Sequence, residues 1–105
     1  MALMPVDYSL DALQRYVAEV EVERGFDRDD ALHKCLLLGE EVGELFKAVR
    51  RASFLRTDPA SAVHEVGQEL ADVLNFVLAL ANRFDLVLSE EYSKKEALNQ
   101  QRSWT

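Results

Sequence analysis

The sequence predicts an all-α protein: a helical bundle built on a central αα-hairpin, with four main helices. Three observations carry this. Apolar residues recur at three- and four-residue spacing in four separate segments. The 105 residues include only four glycines and two prolines, too few for a turn-rich β architecture. No segment pairs a convincing alternating pattern with a second one that could complete a sheet.

In chain order, Ser9 is the candidate N-cap of a first helix over Leu10 to Arg24, with Leu10, Leu13, Val17 and Val20 on one stripe. Gly25 supplies its stop. Asp27, Asp29 or Asp30 can cap a second helix that runs to near Arg51. Ala52 to Thr57 loses periodicity and reads as a loop. Asp58-Pro59 is an N-cap followed by proline at the first helical position, a start signal for a third helix. That helix runs to about Arg83 and carries Val63, Val66, Leu70, Val73, Val77, Leu80 and Phe84. Phe84 to Leu88 is short and apolar, and with no strand to pair with it is expected to be a connecting turn. A fourth helix is expected from Ser89 to about Arg102.

Residues 1–105 are expected to form one domain. With 49% hydrophobic and 30% charged residues, the chain is neither disordered nor fibrous. Twelve basic against nineteen acidic residues give a net charge of −7, the wrong sign for gripping nucleic-acid phosphates directly. The longest uncharged run, Val73 to Asn82, is 10 residues, about half a membrane span. Met1 to Asp7 carries no basic region followed by an apolar stretch, so no signal peptide is expected. Cys35 alone allows no internal disulfide and no cysteine-based zinc site. The expectation is a cytoplasmic protein that binds neither membrane nor nucleic acid. So much apolar helix surface in so short a chain also predicts self-association.

Acidic pairs at i,i+3 occur three times: Asp27/Asp30, Glu41/Glu44 and Glu69/Asp72. The first sits at a helix start, where the macrodipole favours negative charge. The other two interrupt the most hydrophobic helices. On a helical wheel, Cys35, Leu38, Val42, Leu45, Phe46 and Val49 form the core stripe of the second helix. Glu41 and Glu44 share a sector with Leu37 and Ala48. On the third helix Glu69 and Asp72 share theirs with Ala62, Phe76 and Ala79, with Arg83 the one basic residue there. Both pairs are thus expected at the margin between core and solvent.

Side chains at i and i+3 project together, so each pair is a two-pronged oxygen clamp. Packed antiparallel, the two helices can bring the clamps face to face. Converging carboxylates must protonate or bind cations, and oxygen-only ligation suits Mg²⁺, with Mn²⁺ as the alternative. The bland alternative is a solvated acidic face. A ferritin-like di-iron centre needs Glu-x-x-His pairs, whereas this chain offers only Asp30-x-x-His33 and a His64 beside Glu65.

The string Leu38-Gly39-Glu40-Glu41-Val42-Gly43-Glu44-Leu45, followed after 24 residues from Glu44 by Glu69-Leu70-Ala71-Asp72, resembles the E-x-x-E and E-x-x-D signature of the MazG-like all-α nucleoside triphosphate pyrophosphohydrolases. The resemblance covers roughly residues 10 to 104. It implies that Glu41, Glu44, Glu69 and Asp72 hold Mg²⁺ and that a nucleoside triphosphate is cleaved to the monophosphate and pyrophosphate. It further implies a homodimer or a tetramer made of dimers. Glu40 matches a position where some members carry a glutamate suggested to activate water; an exposed helix residue is the alternative. Lys95, Asn99 and Arg102, followed by Trp104, look like the family's late Lys…Asn…Arg-aromatic element and share one helix face suited to phosphate oxygens. A basic last turn complementing the helix dipole is the plain alternative.

Lesser candidates are Lys34, which reaches the site or is solvated, and Asn75, which touches nucleotide or lies between helices. Trp104 and Phe54 stack on a base or pack in the core. Cys35 is expected to be a small buried hydrophobe. Two rival functions stay open. One is hydrolysis of phosphoribosyl-ATP; the other is a non-enzymatic helical interaction module.

Overall fold

In the computed structural model, residues 3–53 and 59–102 are described. Ser9 caps helix α1 (Leu10–Arg24) as its spacing predicts: its hydroxyl accepts from the Ala12 N–H at 3.3 Å. Gly25 closes the helix in the left-handed region at φ 77°, where its N–H reaches the carbonyls of Glu21 and Val22. A single 3₁₀ turn, Phe26–Arg28, leads to helix α2 (Ala31–Ser53). Of the three candidate caps, Asp30 does the work: its Oδ1 accepts from the His33 N–H at 2.8 Å.

Helix α3 (Pro59–Arg83) begins at the proline. The predicted cap Asp58 and most of the loop before it lie outside the described residues. Phe84 to Val87 is a turn rather than a strand, with Asp85 at φ 53°. Helix α4 (Leu88–Gln100) starts one residue before the expected Ser89 and ends two before Arg102. Among the described residues there is no strand, and no helix is long and apolar enough to cross a membrane. The fold is all-α, as the periodicity predicts.

Helices α2 and α3 form the central antiparallel hairpin; α1 packs on α3, and α4 packs on α1. Val17, Leu78 and Ala79 form the core, with Leu10, Leu13 and Leu88 against it. A buried amide locks the α3–α4 turn to α1. Gln14 Nε2 donates to Asn82 Oδ1 at 2.9 Å and to the Leu86 carbonyl at 2.7 Å, and its Oε1 accepts the Leu88 N–H at 3.0 Å. It thereby caps a helix whose own N-cap, Val87, has no side-chain acceptor.

The expected division of faces on α2 and α3 needs correction. Ala48, Ala62, Ala79 and Ala81 are buried, while Phe46 is 68% exposed, Val63 65% and Leu70 52%. Cys35 is exposed too, not a buried hydrophobe. The helices close on their small residues, which permit close approach. Ala48 and the Ala62, Phe76 and Ala79 side of α3 therefore face inward, while the apolar stripes are split: Leu38, Val42, Leu45, Val66, Val73, Val77 and Leu80 are half-buried, and Phe46, Val49, Val63 and Leu70 turn outward. The radius of gyration of 16.2 Å exceeds the roughly 13 Å of a compact domain of this length, as expected of an open hairpin.

Candidate metal centre

Because the hairpin closes on its small residues, Glu41 of α2 meets Glu69 and Asp72 of α3. One carboxylate oxygen from each lies within 4.8 Å of the others. Glu41 and Glu69 are half-buried and Asp72 is exposed. None of the three forms an ion pair with a basic side chain among the described residues. The cluster consequently carries uncompensated negative charge.

The protein registers that charge in two ways. The Glu41 carboxyl is raised above the ordinary carboxylate range, first by burial, then by the charges of Asp72 and Glu69, a hydrogen bond with Glu69, and the charge of Glu44. Glu69 Oε2 is buried without any hydrogen-bond partner, a costly state for a carboxylate oxygen. An oxygen-lined site with an orphaned acceptor fits a hard divalent cation.

The other candidates stand outside this group. Glu44 is close enough for Glu41 to feel its charge, but it is exposed and pairs with Lys47 at 3.4 Å. Glu40 is exposed beside the cluster. Lys95 and Asn99 lie on α4 and Arg102 just past its end, and α4 packs on α1 rather than on the carboxylate helices. Lys95 and Arg102 are exposed and Asn99 is half-buried. Phe54 and Trp104 lie outside the described residues.

A cavity of about 290 Å³ opens beside Asp72 and runs between α1, α2 and α3. Val17, Val20, Phe76 and Ala79 give it apolar walls, and Asn75 lines it. Lys34 lines it too and is buried, not solvated. Its Nζ lies 3.1 Å from Glu21 Oε2 and 3.6 Å from Asp29 Oδ2, between the rings of Phe26 and Phe76, whose centroids are 5.1 and 5.4 Å away.

Glu21 and Arg83 brace this wall, and sequence reasoning passed over both roles. Arg83 spends all five N–H donors: two on Glu21, the others on the carbonyls of Asp29, Phe26 and Ala79. Burial pushes the Glu21 carboxyl up, but the hydrogen bonds and charges of Arg83 and Lys34 outweigh it and hold the group below its ordinary value. The available signal was a glutamate beside Val17 and Val20 on the apolar stripe of α1, with an arginine in the inward sector of α3.

The sequence matches the MazG nucleotide pyrophosphohydrolase domain over residues 29–94, which takes in α2, α3 and the first half of α4. The match includes all four signature carboxylates and stops short of Lys95. No curated protein matches the chain. Since the matched segment exceeds half of the chain, the protein belongs to the MazG nucleotide pyrophosphohydrolase domain family.

Proposed function

We propose that the protein is a Mg²⁺-dependent nucleoside triphosphate pyrophosphohydrolase that clears nucleotides from the cellular pool. The observation carrying this reading is the convergence of Glu41, Glu69 and Asp72 oxygens within 4.8 Å, with Glu69 Oε2 left without a partner. These three residues, with Glu44 one turn along α2, are the ligand set. A bound Mg²⁺ would neutralise phosphate charge and polarise the phosphoryl group under attack. Mn²⁺ satisfies the same oxygen chemistry.

In the proposed reaction water adds to the α-phosphorus and the bond from that phosphorus to the bridging oxygen breaks. Pyrophosphate leaves with the bridging oxygen, and the nucleoside monophosphate keeps the oxygen of the water. Glu40, exposed next to Glu41, is the candidate to take the proton of the water. Lys95, Asn99 and Arg102 are assigned to the phosphate oxygens. The cavity beside Asp72 is the natural seat for the nucleoside, because its apolar walls begin where the carboxylates end.

We further propose that the protein works as a homodimer or a dimer of dimers. The open hairpin leaves Leu36, Phe46, Val49 and Val63 exposed, and a second copy would cover them. Taken as one domain over residues 1–105, the protein is assigned to the cytoplasm, which suits the exposed free thiol of Cys35.

The test is pyrophosphate release from a panel of nucleoside and deoxynucleoside triphosphates, with Mg²⁺ and with EDTA. Wild type runs beside Glu44→Gln and Asp72→Asn. The expected result is release that needs the metal and is lost in both variants. Release only from phosphoribosyl-ATP would replace the substrate, and a folded protein without metal binding or turnover would favour an interaction module.

A further inference from the structure

The cavity beside Asp72 has two buried charged side chains in its lining, Lys34 and Glu21. Their roles differ. Both oxygens of Glu21 accept from Arg83, and Oε2 also faces Lys34. The ammonium of Lys34 has three donors, and its polar contacts among the described residues are two carboxylate oxygens at 3.1 and 3.6 Å. The second of these lies beyond hydrogen-bond length. Lys34 therefore brings to a cavity walled by Val17, Val20, Phe76 and Ala79 a fixed, buried cation with donor capacity to spare, whereas Arg24, the other cation of the lining, is exposed.

Its position along the hairpin says what it would meet. Lys34 precedes Glu41 by seven residues on α2, two turns or about 10 Å. On the antiparallel partner helix, Asp72 and Ala79 are separated by the same seven residues, and both line the cavity. One end of the cavity thus lies at the carboxylates and the other at Lys34. A nucleotide with its phosphates at the carboxylates directs the far edge of its base toward the ammonium. That edge carries the 4-position of a pyrimidine or the 6-position of a purine. Uracil, thymine, guanine and hypoxanthine present a carbonyl acceptor there, while cytosine and adenine present an amine that an ammonium repels.

We infer that Lys34, clamped by Glu21 and Arg83, is the specificity-determining residue of the cavity and selects 6-oxopurine and 4-oxopyrimidine nucleotides over their amino counterparts. The inference rests on the proposed function only for the placement of the phosphates. Base selection can be read without turnover.

The experiment compares binding of inosine and purine riboside, which differ by the 6-oxo group, to the wild-type protein by calorimetry. Tighter binding of inosine, by about tenfold, is expected for a hydrogen bond to a charged donor. Equal binding, or tighter binding of purine riboside, overturns the inference whether or not the protein hydrolyses anything. Lys34→Met keeps the chain length and the ring contacts while removing the ammonium. Its preference for inosine should fall below about threefold, with purine riboside bound as before. Parallel loss of both nucleosides in a variant that melts like wild type would make Lys34 a mere brace and also overturn the inference. Where the protein turns over triphosphates, kcat/KM for ITP against ATP should show the same preference, and a preference for ATP would contradict it.

Discussion

Arg83 of α3 and Glu21 of α1 form a two-pronged ion pair, with Nη1–Oε1 at 2.8 Å and Nη2–Oε2 at 2.7 Å. The same guanidinium holds the carbonyls of Phe26 and Asp29, so one side chain joins α1, the 3₁₀ turn and α3. Removing one partner leaves a buried charge and several orphaned acceptors. Arg83→Met should cost about 3–5 kcal/mol of stability, read from urea unfolding. Glu21→Gln, which keeps the shape of the acceptor, should cost less.

The pair also sets an acid limit. The Glu21 carboxyl is held below its usual value of 4.5 in the folded protein. Its contribution is fully present above that unfolded value and is lost as pH falls through the lower, folded one. Urea midpoints measured between pH 6 and pH 3, in roughly half-unit steps, should fall more steeply for wild type than for Glu21→Gln.

Glu41 behaves in the opposite sense. Its carboxyl is raised in the folded state by burial and by Asp72, Glu69 and Glu44. Without metal, the folded protein is favoured while Glu41 is protonated, and that advantage is lost as pH rises through the raised value. Glu41→Gln should therefore raise the melting temperature of the metal-free protein near neutral pH, and Mg²⁺ should stabilise the wild type but not the variant. Thermal melts with Mg²⁺ and with EDTA check both halves.

Leu78 is fully buried at the α1–α3 contact. Leu78→Ala should cost about 2–5 kcal/mol, whereas Val63→Ala, at a 65% exposed position, should be nearly neutral in the isolated chain. A large loss at Val63 in urea melts, growing with protein concentration, would mark that face as a contact between copies.

The helices were legible because their signals are local. Ser9, Gly25 and Pro59 each act through a cap or a fixed backbone angle within a few residues. The acidic pairs were legible because Glu41, Glu69 and Asp72 interrupt apolar helices. Which residues pack most deeply was not, because a helical wheel ranks faces by apolar content, whereas α2 and α3 close on Ala48, Ala62 and Ala79 and leave much of the apolar stripes only half-buried. Glu21, the bracing role of Arg83 and the burial of Lys34, which the sequence offered only as reaching the site or solvated, escaped for a related reason. Each of these residues is unremarkable in its own helix, and their meaning lies in distances across three elements that are far apart in the chain.

The most direct measurement is pyrophosphate release by wild type and Glu69→Gln, side by side, in Mg²⁺ and in EDTA. Glu69 is the test position because its Oε2 is buried with no partner, so a glutamine there should fold as well as wild type. Release by wild type in Mg²⁺ alone, falling at least about a hundredfold in Glu69→Gln, is the predicted result. Undiminished release by the variant, or release by wild type that survives EDTA, would contradict a metal centre built on these carboxylates.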